Sequence, residues 1–222
     1  MRKQLALAIA LAAPLSAQVA DKANERYRTA EGRQGMLANL SAEDRAARLK
    51  GEVIVKELGI QPGSTVADLG TGGGAMLPLF SEAVGAQGKV IAEDIFQDFL
   101  APTKTKYAAL KNVSYVLGTE KDVKLAAATV DLAVTIDAYH HWDYPAEVLA
   151  SVKKALRPGG RFVIVDYFKR AGAMDAPGVA LQHIRLDRDD VIKEVSAHGF
   201  ALERTVEHVP GKQYLAIFTP VR

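Results

Sequence analysis

Cysteine is absent from the 222 residues of the chain. Its absence excludes disulfide scaffolds, thiolate zinc sites, iron–sulfur clusters and cysteine nucleophiles. An excess of charge of one sign is also lacking, because 28 Lys and Arg residues stand against 26 Asp and Glu residues. Proteins that bind nucleic acids usually carry a basic face, so we expect no nucleic-acid partner. A hydrophobic content of 49% and a charged content of 24% are typical of one globular domain.

A hydrophobic run long enough to cross a bilayer is lacking too, since a span needs about 20 apolar residues. The N-terminal run Leu5–Ala13 is shorter than that and follows the basic residues Arg2 and Lys3. Small residues then precede Gln18, a layout typical of a secretory signal peptide. We therefore predict that residues 1–17 are a signal peptide, that no membrane span remains after cleavage, and that the mature chain is periplasmic or secreted. A start site assigned too early would instead leave the chain in the cytoplasm.

The residues after the signal are expected to form a helical cap (residues 18–60) on the main domain (residues 61–222). Ser41 and Asp44 have the spacing of a capping box, in which a hydroxyl and an acid three residues later satisfy the first turn of a helix. This pattern predicts one helix from Ser41 through Leu58, ended by Gly59.

From residue 61 onwards, short apolar segments alternate with helical ones, which is typical of an α/β fold with a doubly wound parallel sheet covered on both faces. The predicted strands are Thr65–Asp68, Lys89–Asp94, Val113–Leu117, Leu132–Ile136 and Phe162–Asp166, and the helices between them are about Met76–Val84, Asp98–Leu110 and Pro145–Leu156. A helix capped by Asp187 then precedes two strands, about Ala201–His208 and Gln213–Thr219. The short turn between them favours a hairpin, so the last strand is predicted to be antiparallel.

A glycine-rich loop follows the first predicted strand. Gly70, Gly72 and Gly74 stand where a ligand would approach the backbone too closely for side chains. The spacing also fits the dinucleotide fingerprint, so an NAD(P)-dependent oxidoreductase is an alternative. Asp68, two residues earlier, would repel a phosphate and favour a cationic ligand. Asp94 ends the second strand, where an acidic side chain can accept hydrogen bonds from ribose hydroxyls.

Together with Leu156-Arg157-Pro158-Gly159-Gly160 before the fifth strand, these residues make the chain resemble the class I S-adenosylmethionine-dependent methyltransferases. The D-x-G-x-G-x-G motif of that family corresponds to Asp68, Gly70, Gly72 and Gly74, and its second-strand acid to Asp94. The resemblance implies a Rossmann-like, seven-stranded sheet of order 3-2-1-4-5-7-6 with strand 7 antiparallel. It also implies that S-adenosylmethionine is the cofactor, bound at the glycine loop, at Asp94 and at the loop after the third strand.

The loop after the third strand departs from the family pattern, because Thr119 stands where the family often has an aspartate. Glu120 and Asp122 are therefore the candidates to accept a hydrogen bond from the adenine amino group. The alternative interpretation of both residues is a solvated, charged loop. Asp137, at the end of the fourth strand, is a further candidate to contact the cofactor.

His140 and His141 follow the fourth strand, at the topological switch point where open α/β sheets bind ligands. Adjacent side chains of an extended segment point in opposite directions, so one of the two is expected to face the transferred methyl group as a base. Many class I methyltransferases carry such a pair, which makes a structural or cofactor-shaping role the alternative. No metal site is expected, because the other histidines (His183, His198 and His208) are scattered along the chain.

Two further features have open interpretations. Arg185, close after His183, could bind an anionic group in a lid over the substrate, or could belong to an ordinary surface loop. Tyr139, Trp142 and Tyr167 could line a substrate pocket, or could belong to the core. The leading hypothesis is methyl transfer from S-adenosylmethionine to a small molecule. The alternatives are the NAD(P)-dependent oxidoreductase and a cofactor-binding protein without catalysis.

Overall fold

A computed structural model describes residues 19–176 and 178–221, so the predicted signal peptide lies outside the described residues. Within that part, the strands form one seven-stranded sheet of order β3-β2-β1-β4-β5-β7-β6. The strands are β1 (Thr65–Leu69), β2 (Lys89–Asp94), β3 (Val113–Leu117), β4 (Val130–Ile136), β5 (Leu156–Tyr167), β6 (Phe200–Val209) and β7 (Gln213–Pro220). Strand β7 is antiparallel to both of its neighbours, and the other pairs are parallel. The predicted fold class and strand order are confirmed.

Helices cover both faces of the sheet. They are α1 (Asp21–Asn24), α2 (Ala30–Leu40), α3 (Arg45–Arg48), α4 (Gly51–Leu58), α5 (Leu77–Val84), α6 (Gln97–Lys106), α7 (Pro145–Ala155), α8 (Val179–His183) and α9 (Arg188–Ala197), with short 3₁₀ turns at Glu25–Tyr27 and Tyr139–His141. In the described part of the chain, no helix has the length and apolar character needed to cross a membrane.

The core consists of two apolar layers, one on each face of the sheet. Successive residues of β5 show why: Val163 packs into the layer under α4 and α5, whereas Phe162 and Ile164 pack into the layer under α7 and α9. All three are fully buried. A strand covered on both faces is apolar at every position rather than at alternate ones. This continuous apolar character is what made the central strands recognisable in the sequence.

The region between residues 41 and 58 differs from the prediction of one long helix. Ser41 ends helix α2, where its N–H donates to the carbonyl of Leu37 (2.8 Å), and it does not begin a helix. Two helices follow, separated at Lys50, whose φ of 50° is left-handed. Gly51 begins the second helix against α5, and a Cβ there would lie 2.7 Å from Leu79 Cδ1. The break thus depends on tertiary packing that a local capping pattern does not contain.

Asp187 precedes helix α9 as predicted, but it does not cap that helix with its side chain. Its Oδ1 accepts from the backbone N–H of Lys169 instead (3.0 Å). The carboxylate therefore ties the end of β5 to the start of α9.

Candidate active site

A cavity of about 430 Å³ lies at the carboxyl ends of β1, β2 and β4. The parallel strands bring these ends to one edge of the sheet, where α/β proteins bind ligands. One side of the cavity, which we call the cofactor wall, consists of Asp68, the loop Gly70–Gly74 and Asp94. A second group of lining residues, which we call the acceptor wall, consists of Asn24, Tyr27 and His141.

The glycine loop has a backbone that only glycine adopts readily. The φ angle is 73° at Gly70, 53° at Gly72 and 72° at Gly74, all in the left-handed region. A side chain would also collide with neighbouring atoms, since a Cβ at Gly73 would lie 2.5 Å from the carbonyl carbon of Leu40. The close approach that we predicted from a ligand is thus made, at Gly73, by the end of helix α2.

Three buried carboxylates surround this loop: Asp68 at the end of β1, and Glu93 and Asp94 at the end of β2. Asp68 Oδ2 accepts from Thr71 Oγ1 (2.7 Å), and Asp94 Oδ2 accepts from the N–H of Gly72 (2.8 Å). Burial raises the pKa of Asp68 to about 7 and that of Asp94 to about 6. The pKa of Glu93 is raised well above its usual value, first by burial and then by the charge of Asp94.

None of the ion pairs found within residues 19–176 and 178–221 involves these three carboxylates. Carboxyl groups buried together without a cation have raised pKa values, and a positively charged ligand would favour their ionised forms. S-adenosylmethionine carries a sulfonium and an ammonium group, together with ribose hydroxyls that a carboxylate can bind. The donor set of the cofactor wall therefore fits this cofactor.

Asp137 lies at the same edge, and protein groups already occupy its carboxylate. Oδ2 accepts from Arg45 Nη2 and Oδ1 from Gln213 Nε2, both at 2.7 Å. Its φ of 51° is unusual for a residue other than glycine, and such strain concentrates at functional sites. Burial raises its pKa to about 6 against the opposing effect of Arg45. Asp137 lines the cavity while it joins β4, α3 and β7.

The two acidic candidates after β3 lie in different surroundings. Glu120 is exposed and lines the cavity. Asp122 is not among the lining residues, and its Oδ1 accepts from the N–H of Lys124 (2.7 Å). Hydrogen bonds from both the backbone and the side chain of Lys124 lower the pKa of Asp122. Of the two, Glu120 is the one that the fold brings to the cavity.

The N-terminal helices contribute residues that the sequence did not indicate. Asn24 Nδ2 donates to the carbonyl of His141 (2.9 Å) and to Asp143 Oδ2 (3.0 Å). The Tyr27 ring lies 4.8 Å from that of His141 and 6.0 Å from that of Phe96, measured between centroids. The polar, aperiodic segment that contains both residues gave no signal of this role, because the contacts with His141 and Asp143 span more than a hundred positions in the chain.

The histidine pair does not have the predicted geometry. Residues 139–141 form a 3₁₀ turn rather than an extended segment, so the two side chains do not point in opposite directions. Their ring centroids lie 4.1 Å apart. His141 lines the cavity, whereas His140 is 4% exposed and is not among the lining residues. The prediction that only one of the two faces the cavity therefore fits the structure, although the geometry behind it was wrong.

Hydrogen bonds fix which ring nitrogen of each histidine carries the proton. His140 Nδ1 lies 2.7 Å from Asp166 Oδ1, and His141 Nδ1 lies 2.9 Å from Asn24 Oδ1. Both oxygens are acceptors, so both Nδ1 atoms donate and each Nε2 keeps its lone pair. Burial lowers the pKa of His140 and His141 well below the usual value, and it raises that of Asp166 to about 7. Both imidazoles are therefore neutral.

Arg185 is neither free to bind an anion nor part of an exposed loop. Its guanidinium forms a two-fold pair with Glu194, with Nη1 2.8 Å from Oε2 and Nη2 2.5 Å from Oε1. Tyr139 donates to the same Glu194 carboxylate (2.6 Å) and is buried in the core. Of the predicted aromatic candidates, Trp142 lines the cavity, while Tyr167 packs against the core.

Residues 67–164 match the family model described as "Methyltransferase domain". A crystal structure of a SAM-dependent methyltransferase from Aquifex aeolicus is 27% identical, with a TM-score of 0.75 over 84% of this chain and 98% of that chain. Residues 67–164, from β1 into β5, are thus similar to a methyltransferase domain. The carbon methyltransferase CurJ is 18% identical, with a TM-score of 0.61 over 76% of this chain and 51% of that chain, and shares the fold. These comparisons support S-adenosylmethionine as the cofactor of the methyltransferase domain.

Curated relatives match this chain over about half of its length. The ubiquinone/menaquinone biosynthesis C-methyltransferase UbiE of Marinomonas sp. is 27% identical over 118 residues, which are 52% of this chain and 47% of that protein. An uncharacterized 37.1 kDa protein in transposon TN4556 of Streptomyces fradiae is 34% identical over 119 residues, which are 54% of this chain and 34% of that protein. The chain thus spans between a third and a half of the length of these relatives.

The methyltransferase domain contains all of the cofactor wall but only His141 of the acceptor wall. Its matched residues include the glycine loop, Asp94 and the pair His140–His141. Asn24 and Tyr27 lie before the match, and His183 lies after it. The part of the site that faces the acceptor is therefore built largely from segments that the family model does not cover.

Proposed function

We propose that the chain transfers a methyl group from S-adenosylmethionine to a small-molecule acceptor. The observation that carries the proposal is the cavity between two unlike walls, with unpaired carboxylates on the cofactor side and neutral imidazole and aromatic rings on the acceptor side. Helices α1 to α3 cover the cavity, and its volume of about 430 Å³ suits small ligands rather than a macromolecule.

The residues of the cofactor wall would hold the cofactor by charge and by hydrogen bonding. Asp94 would accept from ribose hydroxyls, and ionised Asp68 would supply negative potential near the glycine loop. When bound, S-adenosylmethionine supplies an electrophilic methyl group on a positively charged sulfur. The chain's own contribution is orientation of the acceptor and exclusion of water, which lower the barrier by removing freedom of motion before reaction.

His141 would receive a proton from the acceptor. It lines the cavity, it is neutral, and its Nε2 has a free lone pair because Nδ1 donates to Asn24. Asn24 would thus act as a positioning residue that fixes the orientation of the ring. His140 is held by Asp166 from two sides, through its ring and through its backbone N–H (3.0 Å), which fits a structural role.

Isothermal titration calorimetry of residues 18–222 with S-adenosylmethionine, S-adenosylhomocysteine and NAD⁺ tests the cofactor. We expect both adenosyl compounds to bind and NAD⁺ not to bind. Binding of NAD⁺ alone would instead favour the oxidoreductase hypothesis. Transfer of a labelled methyl group to a panel of small molecules then separates an enzyme from a cofactor-binding protein without catalysis. The latter would bind S-adenosylhomocysteine and label no compound of the panel.

We also propose that residues 1–17 direct export to the periplasm or the exterior. The support is the sequence of that segment and the position of a contact with the domain, which lies at Ala20, after the predicted cut. The N–H of Ala20 donates to Asp143 Oδ1 (2.9 Å), so a cut after Ala17 leaves the contacts of Asn24 in place. A reporter that is active only outside the cytoplasm, fused after Asp21, should give signal. A silent fusion with the full-length chain in the cytosol would contradict export.

A further inference from the structure

Three of the five histidines of the chain meet beside the acceptor wall. His140 and His141 come from the 3₁₀ turn after β4, and His183 comes from helix α8. One ring nitrogen of each lies within 4.8 Å of the others. The ring of His183 lies 5.0 Å from that of His140 and 5.2 Å from that of His141, between centroids. We predicted no metal site because the histidines are scattered along the sequence. The fold brings three of them together.

The two central rings are oriented as metal-binding histidines are. A histidine that binds a metal almost always donates its other ring N–H to a carboxylate, a carbonyl or water. His140 donates to Asp166 and His141 to the amide oxygen of Asn24, at 2.7 and 2.9 Å. The Asn24 amide is itself fixed, because its nitrogen donates to the His141 carbonyl and to Asp143. Each Nε2 is thus left with a lone pair and a fixed direction.

We propose that His140, His141 and His183 bind one divalent transition-metal ion of the zinc class, with the fourth position open to the cavity that His141 lines. Three histidines with one open position are a ligand set of catalytic zinc sites. The donors include no carboxylate, which disfavours magnesium and calcium. A tetrahedral ion with bonds of about 2.1 Å holds its nitrogens about 3.4 Å apart, so binding would draw the rings together. His183, half-buried at the end of a five-residue helix, is placed to move.

Such an ion would change the chemistry at the acceptor wall. A bound cation lowers the pKa of a hydroxyl that coordinates it, so an acceptor with an oxygen donor would lose its proton there. His141 would then act as a metal ligand instead of receiving the proton itself. This consequence rests on the proposed methyl transfer, whereas the metal binding does not. His183 lies outside the matched methyltransferase domain, so the third ligand, unlike the other two, comes from a segment that the family model does not cover.

The test is metal binding by the tag-free chain, residues 18–222, after removal of metals with a chelator. We expect one equivalent of Zn²⁺ to bind with micromolar or tighter affinity, and Co²⁺ to give the intense visible bands of a four- or five-coordinate site. His183→Ala should weaken Zn²⁺ binding by more than about 100-fold, because loss of a ligand costs more than loss of its supporting partner. His198→Ala is the matched control, since that ring bonds the carbonyl of its own helix (2.7 Å) and should leave binding unchanged.

A second variant tests the supporting partner. Asp166→Asn should weaken Zn²⁺ binding by about 10- to 100-fold, with a circular dichroism spectrum like that of the unchanged chain. The proposal is overturned if the unchanged chain binds no Zn²⁺, or if His183→Ala binds it as tightly. S-adenosylhomocysteine is titrated in parallel. Metal binding without nucleoside binding would contradict only the methyltransferase proposal, and the reverse would contradict only the metal site.

Discussion

The two walls of the cavity are built in different ways. On the cofactor wall, the hydrogen bonds join neighbouring parts of the sheet: Thr71 to Asp68, three residues away, and Gly72 to Asp94, on the adjacent strand. On the acceptor wall, Asn24 reaches His141 across 117 positions. The first wall therefore comes with the fold, whereas the second is assembled from segments added around it. Cofactor recognition and acceptor recognition should accordingly respond separately to mutation.

The largest difference between the effect on turnover and the effect on cofactor binding is expected at His141. His141→Ala should lower methyl transfer by about 10²–10⁴-fold, the usual contribution of a positioned base, while S-adenosylhomocysteine affinity stays the same. His140→Ala should mainly lower the free energy of unfolding, because it removes the side-chain partner of the buried Asp166 carboxylate and leaves only backbone N–H donors. Turnover, calorimetry and urea unfolding of both variants provide the measurement. If His141→Ala loses nucleoside binding as well, the two walls are not independent.

The opposite pattern, weaker cofactor binding, is expected at Asp94. Asp94→Ala should weaken S-adenosylhomocysteine binding by about 1.5–3 kcal/mol, the scale of a hydrogen bond to a charged group. The variant also removes the bond that holds the N–H of Gly72. Asp122→Ala is the matched control, since that acid lies outside the cavity lining and should leave the affinity unchanged. Equal affinities for the two variants would contradict the proposal that Asp94 binds the ribose hydroxyls.

Asp68 should reveal a cost that the cofactor wall imposes on the ligand-free fold. Its pKa of about 7 lies above that of an exposed aspartate, about 3.9. The folded state therefore keeps the proton longer than the unfolded state, and stability falls as the pH rises from about 4 to about 7. Asp68→Asn should remove this loss and raise the free energy of unfolding at pH 8 by about 1–3 kcal/mol.

The measurement for Asp68 is urea unfolding at pH 5 and pH 8, without ligand. The gain from Asp68→Asn should be larger at pH 8, where the unchanged residue is charged in both states. The same variant should bind S-adenosylmethionine more weakly, because it removes a negative charge near the cationic ligand. An equal gain at both pH values would show that burial of the charge is not the cause.

The smallest effect is expected at the rim of the cavity, where Arg33 and Asp98 form an ion pair of 2.7 Å with the carboxylate side chain 45% exposed. Exposed pairs contribute about 0–1 kcal/mol. Asp98→Ala should therefore change S-adenosylhomocysteine affinity by less than about fivefold. A larger change in the titration would mean that this pair, rather than the packing of Leu40 on the glycine loop, holds helix α2 in place.

The contrast between the walls also explains what the sequence could predict. Strands β2 and β3 have the predicted bounds, because short runs with valine, isoleucine or tyrosine favour strands and are recognisable locally. The glycine loop and Asp94 were recognisable for the same reason, since their spacing is fixed within one βαβ unit. The roles of Asn24 and Tyr27 were not recognisable, because nothing near them in the chain indicates a partner more than a hundred residues away.

Two errors in the site have the same physical origin. The histidine pair was placed on an extended segment because the strand pattern gives no signal of the 3₁₀ turn at Tyr139–His141. Arg185 was considered as an anion-binding residue because its partner, Glu194, lies on the next helix, and whether their side chains meet depends on tertiary packing. In both cases the sequence showed which residues could take part in the chemistry. It did not show which side chains they contact, because those contacts depend on tertiary packing.

The position of β7 has a consequence for the order in which the molecule can be completed. That strand lies between β5 and β6, and its first residue, Gln213, donates to Asp137 at the cavity. During synthesis the chain emerges from residue 1 onwards, and domains fold as their segments become available. The glycine loop and the helices over it are thus made long before the strand that joins them to the far edge of the sheet. Until residues 213–220 leave the ribosome, the nascent chain lacks one of the two side-chain hydrogen bonds that hold the Asp137 carboxylate at the cavity.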